Sequence, residues 1–247
     1  MKALLWKSWL ETRSRFMSAA IILAILGVST VVRAPATIAG WESVHVGERM
    51  SYPLYIWLSL SHGYLQFLWI VAAVILGLGG LLRERSSGSS TFTLSLPVRR
   101  SSHVVARSLL GAAEAVALGF IPGLIVVVLS PLAGLSYPAS QALIFGALLV
   151  SAGLVFYSVG FFLSHVLHGE YAAPGVGLGL IAAFYVLTRL PRLEALSVFD
   201  AMDGKLHLVG QTFFMGPSYP IVTTLASLAT AVALVALSAR RVKSVEF

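Results

Sequence analysis

Six long apolar segments, separated by polar connections, constrain the fold of this chain more than any other feature of its sequence. A helix that spans a membrane needs about 20 mainly apolar residues, within a range of roughly 17–25. Hydrophobic residues make up 57% of the chain and charged residues 11%, whereas soluble domains carry roughly a quarter charged residues. We therefore predict an all-α membrane protein with spans at Met17–Val32, Ser59–Leu82, Val105–Ser130, Ala139–Leu163, Ala172–Leu187 and Tyr219–Ala239.

The basic residues are divided unequally between the two faces that six spans would create. Twelve lie on the face that holds both termini, and five lie on the other. Because cytoplasmic connections are enriched in Lys and Arg, we predict that both termini are cytoplasmic. The net charge of +7 is then explained by topology, and no nucleic-acid partner is expected. The twelve are Lys2, Lys7, Arg13, Arg15, Arg83, Arg85, Arg99, Arg100, Arg107, Arg240, Arg241 and Lys243, and the five are Arg33, Arg49, Arg189, Arg192 and Lys205.

The chain is predicted to form one membrane domain over residues 1–247, with three accessory segments. Residues 1–16 have an imperfect amphipathic pattern with Trp6 and Trp9 on the apolar side, which is typical of a helix that lies in the membrane interface. Residues 83–104 form a basic cytoplasmic loop. Residues 188–218 carry apolar residues at helical intervals, so we expect one or two short helices that cap the outer face.

Several kinds of catalytic site are excluded by the sequence. Only four lysines occur, and neither Lys7-Ser8 nor Lys243-Ser244 follows the glycines of a phosphate-binding loop, so this chain does not bind ATP by that motif. No cysteine is present, which excludes disulfides and Cys-ligated metals. His165 and His168, with Glu170 nearby, have a spacing that could hold a metal, but polar flanking of a span is the favoured interpretation and no metal is predicted.

Three polar side chains inside predicted spans are candidates for a translocation pathway, because polar groups in lipid are costly and often functional. Glu114 lies about two turns inside the third span, where it could line a cavity, pair with Arg107 or bond within the bundle. His62 and Gln66 share a helix face near the outer end of the second span. They could line the mouth of a pathway, although contact with interfacial water is the favoured interpretation.

The loop between the second and third spans carries a specific motif. It contains Glu84, Gly88, the run Phe92-Thr93-Leu94-Ser95-Leu96-Pro97-Val98, then Arg100 and Arg107. This pattern resembles the cytoplasmic loop of ABC-2-type transporter permeases, and the layout of spans and termini resembles that family over the whole chain. Ser89-Ser90-Thr91 and Arg99 depart from the family's usual residues, which affects the helix limits within the loop.

The resemblance implies the membrane subunit of an ATP-driven transporter. In that family the loop forms a short coupling helix that docks on a separate ATP-binding cassette subunit, which would hold the ATP and Mg²⁺, so no cofactor is expected in this chain. A second permease copy or a homologous permease is the other implied partner, and export across the bacterial cytoplasmic (inner) membrane is the implied activity. The coupling residues expected here are Glu84, Gly88, Phe92, Leu94, Leu96, Pro97, Arg99 and Arg100.

Two other classes of function stay open at this point. An ATP-independent carrier or channel would require charged groups deep in several spans, and Glu114 is the one fair candidate. A polytopic membrane enzyme would require a set of reactive side chains that converge at one face of the membrane, and no such set is apparent. The transported substrate is not specified by any motif, and the two permeases of a dimer could be identical or different.

Overall fold

The computed structural model describes residues 2–45, 49–78, 100–167, 172–191, 193, 197–210 and 213–244. Helices account for most of these residues, joined by a π-helical turn at Trp57–Ser61, 3-10 turns at Ser130–Ala133 and Lys205–His207, and one two-stranded antiparallel ladder. The elements are α1 Lys2–Val44, α2 Tyr52–Ile56, α3 Tyr64–Gly77, α4 Arg100–Leu129, α5 Ala139–Val166, α6 Ala172–Leu187, α7 Val198–Asp203, β1 Leu208–Val209, β2 Phe214–Met215 and α8 Ile221–Ser244.

Within the part of the chain that the structure describes, five helical segments are long and apolar enough to cross a membrane. They contain α1, the run Tyr52–Gly77, α4, α5 and α8, and each overlaps one of the predicted spans. The remaining predicted span coincides with α6 in both bounds, but α6 has only 16 residues. At 1.5 Å per residue it rises about 24 Å, which is less than the roughly 30 Å hydrocarbon core of a bilayer.

The N-terminal segment is not a separate helix, which corrects the predicted boundary at residue 16. Residues Lys2–Val44 form one helix of 43 residues that continues through Pro35. The sequence Arg13–Met17 contains neither glycine nor proline, so nothing in it stops a helix. At about 65 Å, α1 is about twice as long as the hydrocarbon core is thick and must extend beyond it.

The helices α1, α3, α4 and α5 alternate in direction along the chain, so several helix ends meet at one end of the bundle. The α1 residue Glu11 meets Arg107 near the start of α4, and Arg15 meets Leu78 just after the end of α3. Further along, Gly27 of α1 lies against Pro122 and Ile125 of α4, so α1 and α4 run parallel. We call this end, where α3 stops and α4 begins, the loop end, and the opposite end the cap end.

A buried tryptophan occupies the centre of the packing between α3, α4 and α5. Trp69 is fully buried, and its indole N–H donates to the carbonyl of Ala115 at 3.0 Å. Gly119 and Gly153 leave the room for its ring, because a Cβ at Gly153 would lie 2.4 Å from the indole. Two glycines on neighbouring helices thus fix where the largest side chain of the core can lie.

Two other glycines bring α3 and α5 into backbone contact. A Cβ at Gly77 would lie 2.5 Å from the carbonyl oxygen of Tyr157, and one at Gly160 would lie 2.6 Å from that of Val74. Gly77 and Gly160 thus allow α3 and α5 to pack closely. In α6, Gly175 and Gly179 have nothing within 4 Å, while Gly177 between them makes ordinary contacts.

The segment before α8 folds against the cap end of the bundle. It contains α7, a 3-10 turn and the pair β1–β2, in which Leu208 pairs with Met215. The prediction of short helices here is confirmed, whereas the strands were not predicted. Phe199 of α7 is buried among Phe156, Phe184 and Tyr185, with ring centroids 5.0–5.8 Å apart, so this one side chain holds α7 against both α5 and α6.

Candidate functional site at the loop end of the bundle

The described residues include both points where the predicted coupling loop joins the bundle. Leu78 is the last described residue before the loop, and Arg100 is the first residue of α4. The predicted coupling residues Glu84, Gly88, Phe92, Leu94, Leu96, Pro97 and Arg99 lie outside the described residues. The site is therefore built from the helix ends that hold the loop.

The C-terminal end of α3 is bonded by an arginine from α1. The last carbonyls of a helix have no partner within that helix and form its negative end. Arg15 donates from Nη1 to the carbonyl oxygen of Leu78 at 2.6 Å, and the same nitrogen lies 3.5 Å from that of Ile75. The chain leaves the helix at Leu78 in an extended conformation, so this bond fixes the point at which the loop begins.

A second arginine reaches the same carbonyl from the other side of the loop. Arg107 of α4 forms an ion pair with Glu11 of α1 through Nη1, and its Nη2 donates to the carbonyl oxygen of Leu78 at 3.3 Å. Glu11 also lies 3.6 Å from Lys7, one turn earlier in α1. The beginnings of α1 and α4 and the end of α3 are thus joined by charged hydrogen bonds at one place.

Glu114 lies deeper along the same helix interface and bonds to α1. The residue is 4% exposed, and its carboxylate Oε1 accepts a hydrogen bond from the Thr12 hydroxyl at 2.5 Å. Within the described part of the chain, Oε2 has no hydrogen-bond partner. Arg107 instead forms its ion pair with Glu11. The predicted alternative of a Glu114–Arg107 pair is therefore wrong, and the alternative that Glu114 bonds within the bundle is confirmed.

The end of α5 completes the packing at the loop end. Tyr157 is buried and donates from its hydroxyl to the carbonyl oxygen of Ser108 at 3.2 Å, and Gly111 leaves space for its ring. His165, considered above as a metal ligand, is 4% exposed and its Nδ1 bonds to the carbonyl of Phe161 at 2.7 Å. His165 is thus a buried core residue, while His168 and Glu170 lie outside the described residues.

The other two predicted pathway residues, His62 and Gln66, bind the segment that precedes α8, described over residues 197–210 and 213–220 and called here the cap segment. Gln66 is 8% exposed and donates to the carbonyl oxygen of Phe199 at 2.7 Å, and the Nδ1 of His62 bonds to the carboxylate of Asp203. The favoured interpretation, contact with interfacial water, is therefore wrong for Gln66, whose amide joins α3 to α7.

Asp203 is the centre of this second cluster. It is 1% exposed, and its carboxylate also accepts from the backbone N–H of Lys205 at 2.8 Å. Trp57 stacks on the ring of His62 and donates to the carbonyl oxygen of Asp203 at 2.9 Å. Burial raises the pKa of Asp203, and the hydrogen bonds from His62 and Lys205 partly oppose that rise.

A groove of about 570 Å³ lies beside this cluster, between α3 and α6. Its walls are mainly aliphatic and aromatic, with the polar groups of His62, Gln66 and Tyr185 also present. Two of the three predicted pathway residues are thus brought together at one cavity, and Glu114 is not among its lining residues. The lining is His62, Gly63, Gln66, Phe67, Ile70, Val71, Leu178, Ile181, Ala182, Tyr185, Val186 and Phe199.

Several residues of these two clusters are not predicted as site residues from the sequence. Their patterns predict an interfacial helix for Glu11, Thr12 and Arg15 and an outer segment for Asp203. A signal was present for the first three, since Glu11 and Arg15 lie one turn apart on the helix that precedes the first apolar run. Nothing in the sequence indicates that Asp203 folds back onto His62, which lies 141 positions away.

One family model matches most of the chain. The matching family is described as ABC-2 family transporter protein, and the match covers residues 10–194. That range begins at the Glu11 end of α1, includes the whole connection between α3 and α4, and extends beyond α6. No curated protein matches the chain.

Proposed function

Because the chain belongs to the ABC-2 family of transporter proteins, we propose that it is the membrane-spanning subunit of an ATP-driven transporter and is powered by a separate ATP-binding subunit. The chain is a multi-pass membrane protein with five helical segments of spanning length among its described residues, and its sequence contains no phosphate-binding loop motif. The energy for transport would then come from ATP and Mg²⁺ bound in the partner subunit.

The observation that carries this proposal is the position of the motif-bearing loop within the family match. The segment from Glu84 to Arg100 lies inside the matched range 10–194. The helices that precede and follow this segment in the chain, α3 and α4, meet at Leu78 and Arg107. In this proposal Phe92 through Pro97 contacts the ATP-binding subunit, because a buried aromatic ringed by polar groups is typical of an interface hot spot.

The same proposal assigns orientation and assembly. The excess of basic residues at the termini and in the loop supports a cytoplasmic location for both. The alternating directions of α1, α3 and α4 along the chain support placing both on one side of the membrane, because the described residues that flank the loop and the start of α1 lie at one end of the bundle. We further propose a location in the bacterial cytoplasmic membrane, assembly with a second permease, and export as the direction of transport.

Purification of the tagged chain from native membranes tests this proposal. We expect an ATP-binding cassette subunit to co-purify and the complex to hydrolyse ATP. Phe92→Ala and Pro97→Ala should still insert in the membrane, but should lose the coupling of hydrolysis to transport. Purification of the chain alone in an active form would contradict the proposal, as would full substrate-stimulated ATPase activity in the Phe92→Ala complex.

A further inference from the structure

We propose that Arg15, Arg107 and Glu11 form a clamp that carries movement of the coupling loop into α1. The clamp consists of the Glu11–Arg107 ion pair and the hydrogen bonds from both arginines to the carbonyl of Leu78. This inference rests on the proposed function, since it assigns positioning residues to the coupling of the loop to the membrane helices.

The clamp acts at both ends of the loop. Leu78 is the last described residue before it, and Arg107 lies two turns into the helix that follows it. Both arginines converge on one carbonyl, which carries the negative partial charge of the end of α3. A displacement of the loop that moves Leu78 or the start of α4 must therefore move α1 or break charge-assisted hydrogen bonds, which are stronger than neutral ones.

Because α1 is long and continuous, a displacement of its first turns would also move the part of α1 that lies deeper in the bundle. The helix is continuous from Lys2 to Val44, so Glu11, Arg15 and the apolar span are parts of one unbroken helix. Further along, Gly27 of α1 packs directly against Pro122 and Ile125 of α4. Movement imposed at residues 11–15 is thus transmitted along α1 without passing through a flexible connection.

Stability alone does not account for this arrangement. The side chains of Glu11 and Arg107 are 32% and 13% exposed, and ion pairs that reach solvent contribute little to folding. The structure nevertheless places two cations from two different helices on the one carbonyl where the loop begins. The clamp is therefore assigned to positioning.

Distances between spin labels can distinguish a clamp that transmits movement to α1 from residues that only stabilise the fold. The chain has no cysteine, so labels can be placed on introduced cysteines without background. One pair, Leu10→Cys with Arg240→Cys, reports on α1, and a second pair, Val105→Cys with Arg240→Cys, reports on α4. All three side chains are exposed. Each pair is measured in the complex with its ATP-binding subunit, before and after trapping with ATP and vanadate.

We expect both distances to shift on trapping in the otherwise native complex. In Arg15→Ala and Arg107→Ala the α1 shift should be lost while the α4 shift is kept, because α4 is joined to the loop by the chain itself. Arg13→Ala is the matched control: it removes an exposed arginine from the same helix and should keep both shifts. The double variant Glu11→Arg/Arg107→Glu re-forms the α1–α4 ion pair and should recover at least half of the α1 shift.

The possible outcomes distinguish this inference from the proposed function. If no ATP-binding subunit associates with the native chain, the proposed function fails and the clamp fails with it. If the complex forms but the α1 shift is absent from the native chain, only the clamp is overturned. It is likewise overturned if the α1 shift persists in both arginine variants, if both shifts disappear together, or if the charge reversal recovers nothing.

Discussion

The hydroxyl of Thr12 on α1 donates to the carboxylate of Glu114 on α4 at 2.5 Å, within the packed interface of the two helices. Both residues are at least 96% buried, and they lie 102 positions apart in the chain. An unpaired polar group in such a place is costly, so the hydroxyl offsets part of the cost of burying the carboxyl group. The bond also fixes the register of two parallel helices near the loop end of the bundle.

Thr12→Val should destabilise the folded chain by about 1–3 kcal/mol, because it leaves a buried carboxyl group without its donor while nearly preserving side-chain volume. The free energy of unfolding of the detergent-solubilised chain measures this change. Thr230→Val is the matched control, since the Thr230 hydroxyl bonds to the carbonyl of Ala226 in its own helix and the residue is exposed. Equal effects from the two substitutions would contradict the role given to Thr12.

Local pattern was enough to predict most of the helices. The apolar runs located every long helix, and the bounds of α6 and the start of α5 were predicted to the residue. The error at residue 16 has a physical cause, since a change from amphipathic to apolar composition alters what a helix faces without ending it. Only a helix-breaking residue ends the hydrogen-bond ladder, and α1 continues even through Pro35.

Site residues were harder to predict, because their partners are distant in sequence. Glu114 was recognised from its burial in an apolar run, but its partner Thr12 lies on another helix, and the nearer Arg107 was a plausible alternative. In the same way, His62 and Gln66 were noticed as a pair, yet what they bind is the α7 segment more than 130 positions later. Periodicity predicts which face of a helix is polar, and tertiary packing decides what meets that face.

Gly77→Ala should be among the most damaging single-methyl changes in the chain. Its Cβ would lie 2.5 Å from the backbone oxygen of Tyr157, so α3 and α5 would have to separate. Overpacking of this kind typically costs about 1–3 kcal/mol or more. In Gly175→Ala the new methyl meets open space, and the higher helix propensity of alanine should leave the chain unchanged or stabilise it by up to about 1 kcal/mol. Thermal unfolding in detergent compares the melting temperatures of the two variants. A lower melting temperature for Gly175→Ala than for Gly77→Ala would contradict the α3–α5 backbone contact.

The stability of the cap segment should depend on pH through the carboxyl group of Asp203. Burial raises the pKa of this carboxyl group above its ordinary value of 3.8, so the folded chain binds its proton more tightly than the unfolded chain does. Its contribution to stability is therefore fully present below pH 3.8 and is lost as the pH rises through the raised value. The difference in melting temperature between the native chain and Asp203→Asn should favour the native chain most at pH 4 and decline toward pH 7. A difference that is constant or grows with pH would contradict this assignment.

Phe92 provides the most direct test of the central claim, which is that the loop docks on a separate ATP-binding subunit. A photoreactive phenylalanine analogue at position 92 should crosslink, in native membranes, to a protein whose peptides contain a Walker A phosphate-binding motif. The same analogue at Phe67, an exposed side chain of α3 beside the groove, should give no such product. If position 92 gives no adduct with an ATP-binding protein, or if position 67 gives the same adduct, the claim that this loop is the coupling site is contradicted.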